Sequence, residues 1–231
     1  MHDFVTEGLA PLVLTLLTYE VGVFLQKKTK SPICNPIAVS ALLMIGLLAL
    51  TKSRIPDYQA GMDAISWLLT PATVCLAIPM YEHLQTIKKD LRAVAAGVCC
   101  GTVGSLLMVL GCCTAAGMSR SLTVSMLPKS VTTAIGATLS GLSGGVAAIS
   151  TAAIILTGIL ANIFSTFLFR LFRIQEPVAK GVALGTAGHV VGTARANEIG
   201  PLVGAVSSMS LGTAGLLTAA LWPLALMLVP A

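Results

Sequence analysis

The sequence predicts an all-α polytopic membrane protein with about six spanning helices, plus two re-entrant or broken segments at membrane depth. Three observations carry that expectation. Of the 231 residues, 55% are apolar and only 10% charged, where a soluble domain has about a quarter charged; too little polar surface is left to coat a soluble globule. Six stretches meet or approach the roughly 20 apolar residues that a spanning helix needs. Ten of the fourteen Lys and Arg fall on one side when those stretches are threaded through a bilayer. The whole chain, 1–231, reads as a single transmembrane domain.

The spans are expected at 8–25, 33–50, 64–81, 93–118, 145–169 and 201–229. The first has no basic leader and no small-residue cleavage site, and Glu20 interrupts it, so it reads as a retained helix and not a secretory signal. The cation-rich side holds Lys27, Lys28, Lys30, Lys88, Lys89, Arg92, Arg170, Arg173, Lys180 and Arg195, and the other side Lys52, Arg54, Arg120 and Lys129. Since Lys and Arg collect on the cytoplasmic side, both termini should face outward. Three spans per half would give the halves opposite orientation, the arrangement of inverted-repeat transporters whose site lies near the midplane.

Three segments are not plain helices. Span three carries Pro71 and Pro79, each lacking a backbone donor and clashing with the preceding turn. Either the helix breaks there and helps to wall a site, with Thr73 inside the block, or it is merely kinked. Between spans four and five, Pro128-Lys129-Ser130-Val131-Thr132-Thr133 precedes the glycine-rich run 136–145. That segment is too apolar for an aqueous loop and too long for a turn. As a re-entrant hairpin, with Pro128 at a helix start, it would make an anion cup from a lysine, hydroxyls and first-turn amides; as an outer loop it would leave Lys129 solvated. The stretch 181–201 holds Gly185, Thr186, His189, Gly192, Thr193, Arg195 and Glu198. It is apolar enough to enter the membrane and too short to cross it between charged flanks. Arg195 and Glu198 form either a pathway pair or a solvated i, i+3 pair, and His189 serves either proton coupling or a structural hydrogen bond.

Several function classes find no support. The basic residues form no stripe and no aromatic interleaving, so nucleic acid is not an expected partner. Cys34, Cys75, Cys99, Cys100, Cys112 and Cys113 lack metal or redox spacing and read as small membrane-helix residues. No nucleophile elbow, phosphate loop or metal cluster appears, so neither an enzyme nor a cofactor is expected. Gly97, Gly101 and Gly104 supply a close-packing face suited to a homo-oligomer, with a dimer favoured.

The broken segments also carry a resemblance. Asn35-Pro36, Thr70-Pro71-Ala72-Thr73, Ile78-Pro79-Met80-Tyr81, Leu127-Pro128-Lys129-Ser130-Val131-Thr132-Thr133, Gly185-Thr186-Ala187 with His189, Gly192-Thr193-Ala194-Arg195, and Gly204-Ala205 with Ser207-Ser208 together resemble the LrgB/CidB family of bacterial membrane proteins, over nearly the whole chain. Two positions depart from the family pattern: Ala134 where proline often follows the paired threonines, and Gly188 where a serine often precedes the histidine. The resemblance implies a bacterial inner-membrane protein working beside a smaller LrgA/CidA-like membrane partner. It implies one of two activities: holin-like or antiholin-like modulation of murein hydrolases and lysis, or carriage of small monocarboxylates such as glycolate and pyruvate.

A carrier needs a defined anion site, because an unpaired carboxylate is costly to bury. The residues expected to form it are Lys129 and Arg195 as charge partners, and Ser130, Thr132, Thr133, Thr73, Thr186 and Thr193 as hydroxyl donors. His189 is expected as the proton-coupled gate with Glu198 beside it, and Pro71, Pro79, Pro128, Gly185 and Gly192 as helix-breaking positions.

Overall fold

The computed structural model describes residues 9–29, 34–75 and 77–230, without the side chains at 63, 64, 66, 69, 70, 73 and 79. Every element among the described residues is a helix. The chain forms two compact units, Met1–Cys75 and Leu76–Ala231.

In the first unit, α1 (Ala10–Thr29) and α2 (Pro36–Thr51) lie against each other. Gly22 lets the α1 backbone pass close to Pro36, and Thr18 shares a hydrogen bond with Ser40 at 2.9 Å. Asn35 caps α2 by accepting from the Ile37 and Ala38 amides, with Pro36 at the first helical position, where its missing N–H costs nothing. Then come α3 (Ile55–Ala60) and α4 (Asp63–Cys75). Pro71 sits inside α4 without ending it. α4 is described as far as Cys75; residue 76, inside the expected Pro71–Pro79 break, lies outside the described residues.

The second unit includes α5 (Ala77–Glu82), which contains Pro79, and α6 (Leu84–Lys89). Its frame is three long helices: α7 (Leu91–Ala115), α10 (Ala147–Leu171) and α12 (Pro201–Met227). These three are the helices long and apolar enough to cross a membrane among the described residues, and they coincide with the expected spans four, five and six. At 25 residues each, α7 and α10 are about 37 Å long, enough for a hydrocarbon core of about 30 Å. The described helices at the first three expected spans are shorter or less apolar.

Between the long helices the chain makes two hairpins. The first is α8 (Arg120–Met126), a non-helical tip, and α9 (Thr133–Leu142). Both ends lie at one face: the Arg120 guanidinium donates to the Val229 carbonyl at 2.8 Å, and Trp222 donates to Ser143 at 2.8 Å. The second is α11 (Pro177–Ile199), whose helical path reverses at His189, with φ 42° and ψ −135°. The reversal brings Gly192 against the carbonyl of Leu184, eight residues earlier, where a straight helix would hold positions that far apart about 12 Å from one another. Both ends of this hairpin lie at the opposite face, where Lys180, Arg195 and Ile199 gather with Arg170 and Arg173 from the end of α10.

The second unit is therefore a long helix and a hairpin, repeated in the opposite direction, and closed by α12. Residues 91–142 form the first copy and 147–199 the second. Opposed repetition thus occurs inside this unit, between residues 91–142 and 147–199. One face carries Lys88, Lys89, Arg92, Arg170, Arg173, Lys180 and Arg195, and the other Arg120, with Lys129 at a hairpin tip between them.

Candidate functional site

The two tips meet near the middle of the long helices. Pro128 closes α8 and does not start a helix: it cannot donate, so the chain turns through Lys129 N to Met126 O (3.2 Å) and Val131 N to Pro128 O (3.3 Å). The helix start expected at Pro128 comes instead at Thr133, with Thr132 as its cap, accepting from the Ile135 amide at 3.4 Å. This places the positive end of α9 at the tip. Lys129, half-buried, donates to the Ser130 hydroxyl at 3.3 Å, and Ser130 shares a 2.9 Å hydrogen bond with Ser105 near the middle of α7.

From the opposite face, the second tip presents Thr186 and His189. The His189 backbone occupies a region that favours glycine, and a non-glycine residue persists there only when its surroundings hold it. The imidazole, 3% exposed, is held by Nε2 donating to the Ile154 carbonyl at 2.7 Å, which fixes the protonated nitrogen and leaves Nδ1 without a described partner. Ile154 joins the tips, because its side chain rests on Gly136 at the start of α9. Thr186 lies over Gly101 of α7, and its hydroxyl donates to the Val182 carbonyl at 2.7 Å.

Between the tips lies a cavity of about 10 Å³, room for one water, lined by Thr102, Ser105, Ser130, Thr186 and Thr218 over an apolar wall that includes Ala214. Thr102 is 4% exposed and its hydroxyl has no protein partner. An unpartnered buried hydroxyl costs about 1–3 kcal/mol, so a polar occupant is favoured at this point. Thr102, Ser105 and Thr218 were not expected from the sequence. The available signal was hydroxyls at helical spacing inside otherwise apolar spans: 102 and 105 in α7, and 207, 210 and 218 in α12.

The expected residues divide accordingly. Lys129, Ser130, Thr186 and His189 come together at the tips, and Thr132 and Thr133 open α9 behind them. Thr193 is used elsewhere, since its hydroxyl bonds the His189 carbonyl and Ser207, both at 2.9 Å, and so ties the hairpin to α12. Arg195 and Glu198 are not brought to Lys129. They pair with each other, and Arg195 also donates to Thr166 at 3.0 Å, twelve residues or about 18 Å along α10 from Ile154. Gly185 and Gly192 do not break the helix; they let it approach the Ser207 and Leu184 carbonyls, and the break falls at His189. Thr73 and Pro79 have side chains outside the described residues, and Pro71 lies in the first unit. Gly97 and Gly101, expected to face another copy, meet Val182 and Thr186 of the same chain; a side chain on Gly104 would meet open space.

No solved structure matches the chain. Its three long apolar helices mark a membrane protein, and the LrgB-like family model matches residues 15–228, so the chain belongs to the LrgB-like family.

Proposed function

We propose that the protein carries small monocarboxylates of the pyruvate, glycolate and lactate class across the bacterial inner membrane, binding the carboxylate between the two hairpin tips. The observation that supports this reading is the meeting at mid-depth of tips from opposite faces, around the unpartnered Thr102 hydroxyl. A carboxylate leaving water needs a cation or several oriented donors. Lys129 is the cation; Thr102, Ser105 and Ser130 are donors, helped by the positive end of α9. The remaining imidazole nitrogen, His189 Nδ1, would exchange the coupled proton.

A cavity that holds one water is closed to pyruvate, so binding requires a tip to withdraw. Because the hairpins open toward opposite faces, withdrawing one or the other exposes the same chamber to one side or the other, which is alternating access. The seven-cation face is cytoplasmic on this reading, with six crossings and both termini outside. Association with a second copy or with a smaller LrgA/CidA-like partner belongs to the same proposal. A holin-type lesion, by contrast, needs no enclosed polar chamber.

The test is purified protein in liposomes, scored for carboxylate counterflow and for release of an entrapped dye of several hundred daltons. Saturable exchange without dye loss is expected. Lys129→Ala should lower exchange at least about a hundredfold, the effect of losing about 3 kcal/mol of charge-assisted bonding, while the elution profile is unchanged. Dye release without substrate preference, or full exchange by Lys129→Ala, would sink the reading.

A further inference from the structure

A second polar concavity lies at the cation-rich face, away from the hairpin tips. The end of α10 and both outer ends of the α11 hairpin enclose a bowl of about 470 Å³, within the range of small-ligand sites, lined by Arg170, Arg173, Lys180, Arg195, Gln175 and Thr166 over an apolar floor. Four cations converge on it, and among the described residues its one ion pair is Arg195 with Glu198. Arg170, Arg173 and Lys180 have no described hydrogen-bond partner. Arg195 lies deepest: its Nε is buried without a partner while its other nitrogens hold Glu198 and Thr166.

Arg173 is held toward the bowl at a backbone cost. It occupies the left-handed position that ends α10, with φ 54°, where glycine is the usual residue; Ile174 N to Phe169 O at 2.8 Å closes the motif. Crowded like charges with an unmet buried donor favour an anion, and planar guanidinium groups match phosphate oxygens two at a time. Beside the bowl, Phe167, Leu171 and Phe172 are exposed, an apolar surface where acyl chains can lie.

We propose that this bowl binds a phosphate group, held by Arg170, Arg173 and Arg195, and that its source is the headgroup of an anionic phospholipid in the leaflet at that face. Basic pockets between helices at the cytoplasmic interface bind such headgroups through this chemistry. A soluble phosphate is the alternative source, and the two separate experimentally.

The experiment uses the full-length protein in mild detergent, offered equal amounts of phosphatidylglycerol and phosphatidylcholine, with retained lipid counted by native mass spectrometry. The parent should retain phosphatidylglycerol selectively. R170Q/R173Q, which alters two exposed side chains, should retain about tenfold less, and K88Q/K89Q, on the same face outside the bowl, should match the parent. Lys180→Gln should give a smaller fall in the same direction. Retention that survives millimolar inorganic phosphate assigns the lipid as source; displacement by phosphate, with the same variant pattern, assigns a soluble phosphate to the same site. Equal falls in both paired variants would reduce the bowl to general interfacial charge and overturn the proposal, as would undiminished retention by R170Q/R173Q.

Discussion

His189 combines two opposing terms in one side chain. Its backbone angles belong to glycine, a cost of about 1–3 kcal/mol, and its Nε2–H bond to the Ile154 carbonyl, which satisfies the buried ring nitrogen, is of similar worth. His189→Gly loses the bond and relieves the strain, while His189→Ala loses the bond and keeps the strain. Thermal unfolding in detergent should therefore rank the glycine variant above the alanine variant by about 1 kcal/mol, the reverse of the usual order inside a helix. Alanine at or above glycine would show that the chain does not reverse at 189. In the sequence this histidine reads either as a proton site or as a structural hydrogen-bonding group. Its place at a turn is not legible, since histidine is not among the residues that favour turns and it is contacts with Ile154, Gly158 and Thr193 that hold it there.

At the scale of elements, the hairpins decide which face each segment meets. If 177–199 is re-entrant, single cysteines at Ala179 and Glu198, both exposed, must react from the same side of the membrane on a cysteine-free background. Cysteines replacing Met118 and Gly144, at the outer ends of the first hairpin, should react from the opposite side. An impermeant maleimide applied to right-side-out and inverted vesicles reads both pairs, and opposite accessibility of 179 and 198 would make this segment a span. Composition and length mark both segments as apolar interruptions between the long helices, which is how the sequence singles them out. The position of each turn was less accessible. Pro128 could end one helix or begin the next, and only the Thr132 cap and the packing of Gly136 on Ile154 settle the matter.

For the whole molecule, charge asymmetry is the strongest orienting term. Within the second unit, seven cations against one point to a single orientation, which leaves the end of α12 on the poor side. An alkaline phosphatase fused after Ala231 should be active in bacterial cells and a fluorescent protein fused there should be dark; the opposite pattern would invert the assignment. The opposed copies at 91–142 and 147–199 share a plan of long helix and hairpin with little common sequence. Apolar spans constrain little beyond length and small-residue spacing, so two stretches can share this geometry without sharing residues.

The sequence alone determined the membrane protein class and the all-helical content, and it singled out the polar blocks at 128–133 and 185–195, because these follow from composition, length and local chemistry. The tertiary structure decided which blocks share a chamber. Reversal at His189 carries Thr186 to mid-depth and returns Arg195 toward the surface, although the two lie nine residues apart in the same helical stretch. Sequence spacing measures distance along a chain, and where the chain doubles back, only contacts between elements fix which residues meet.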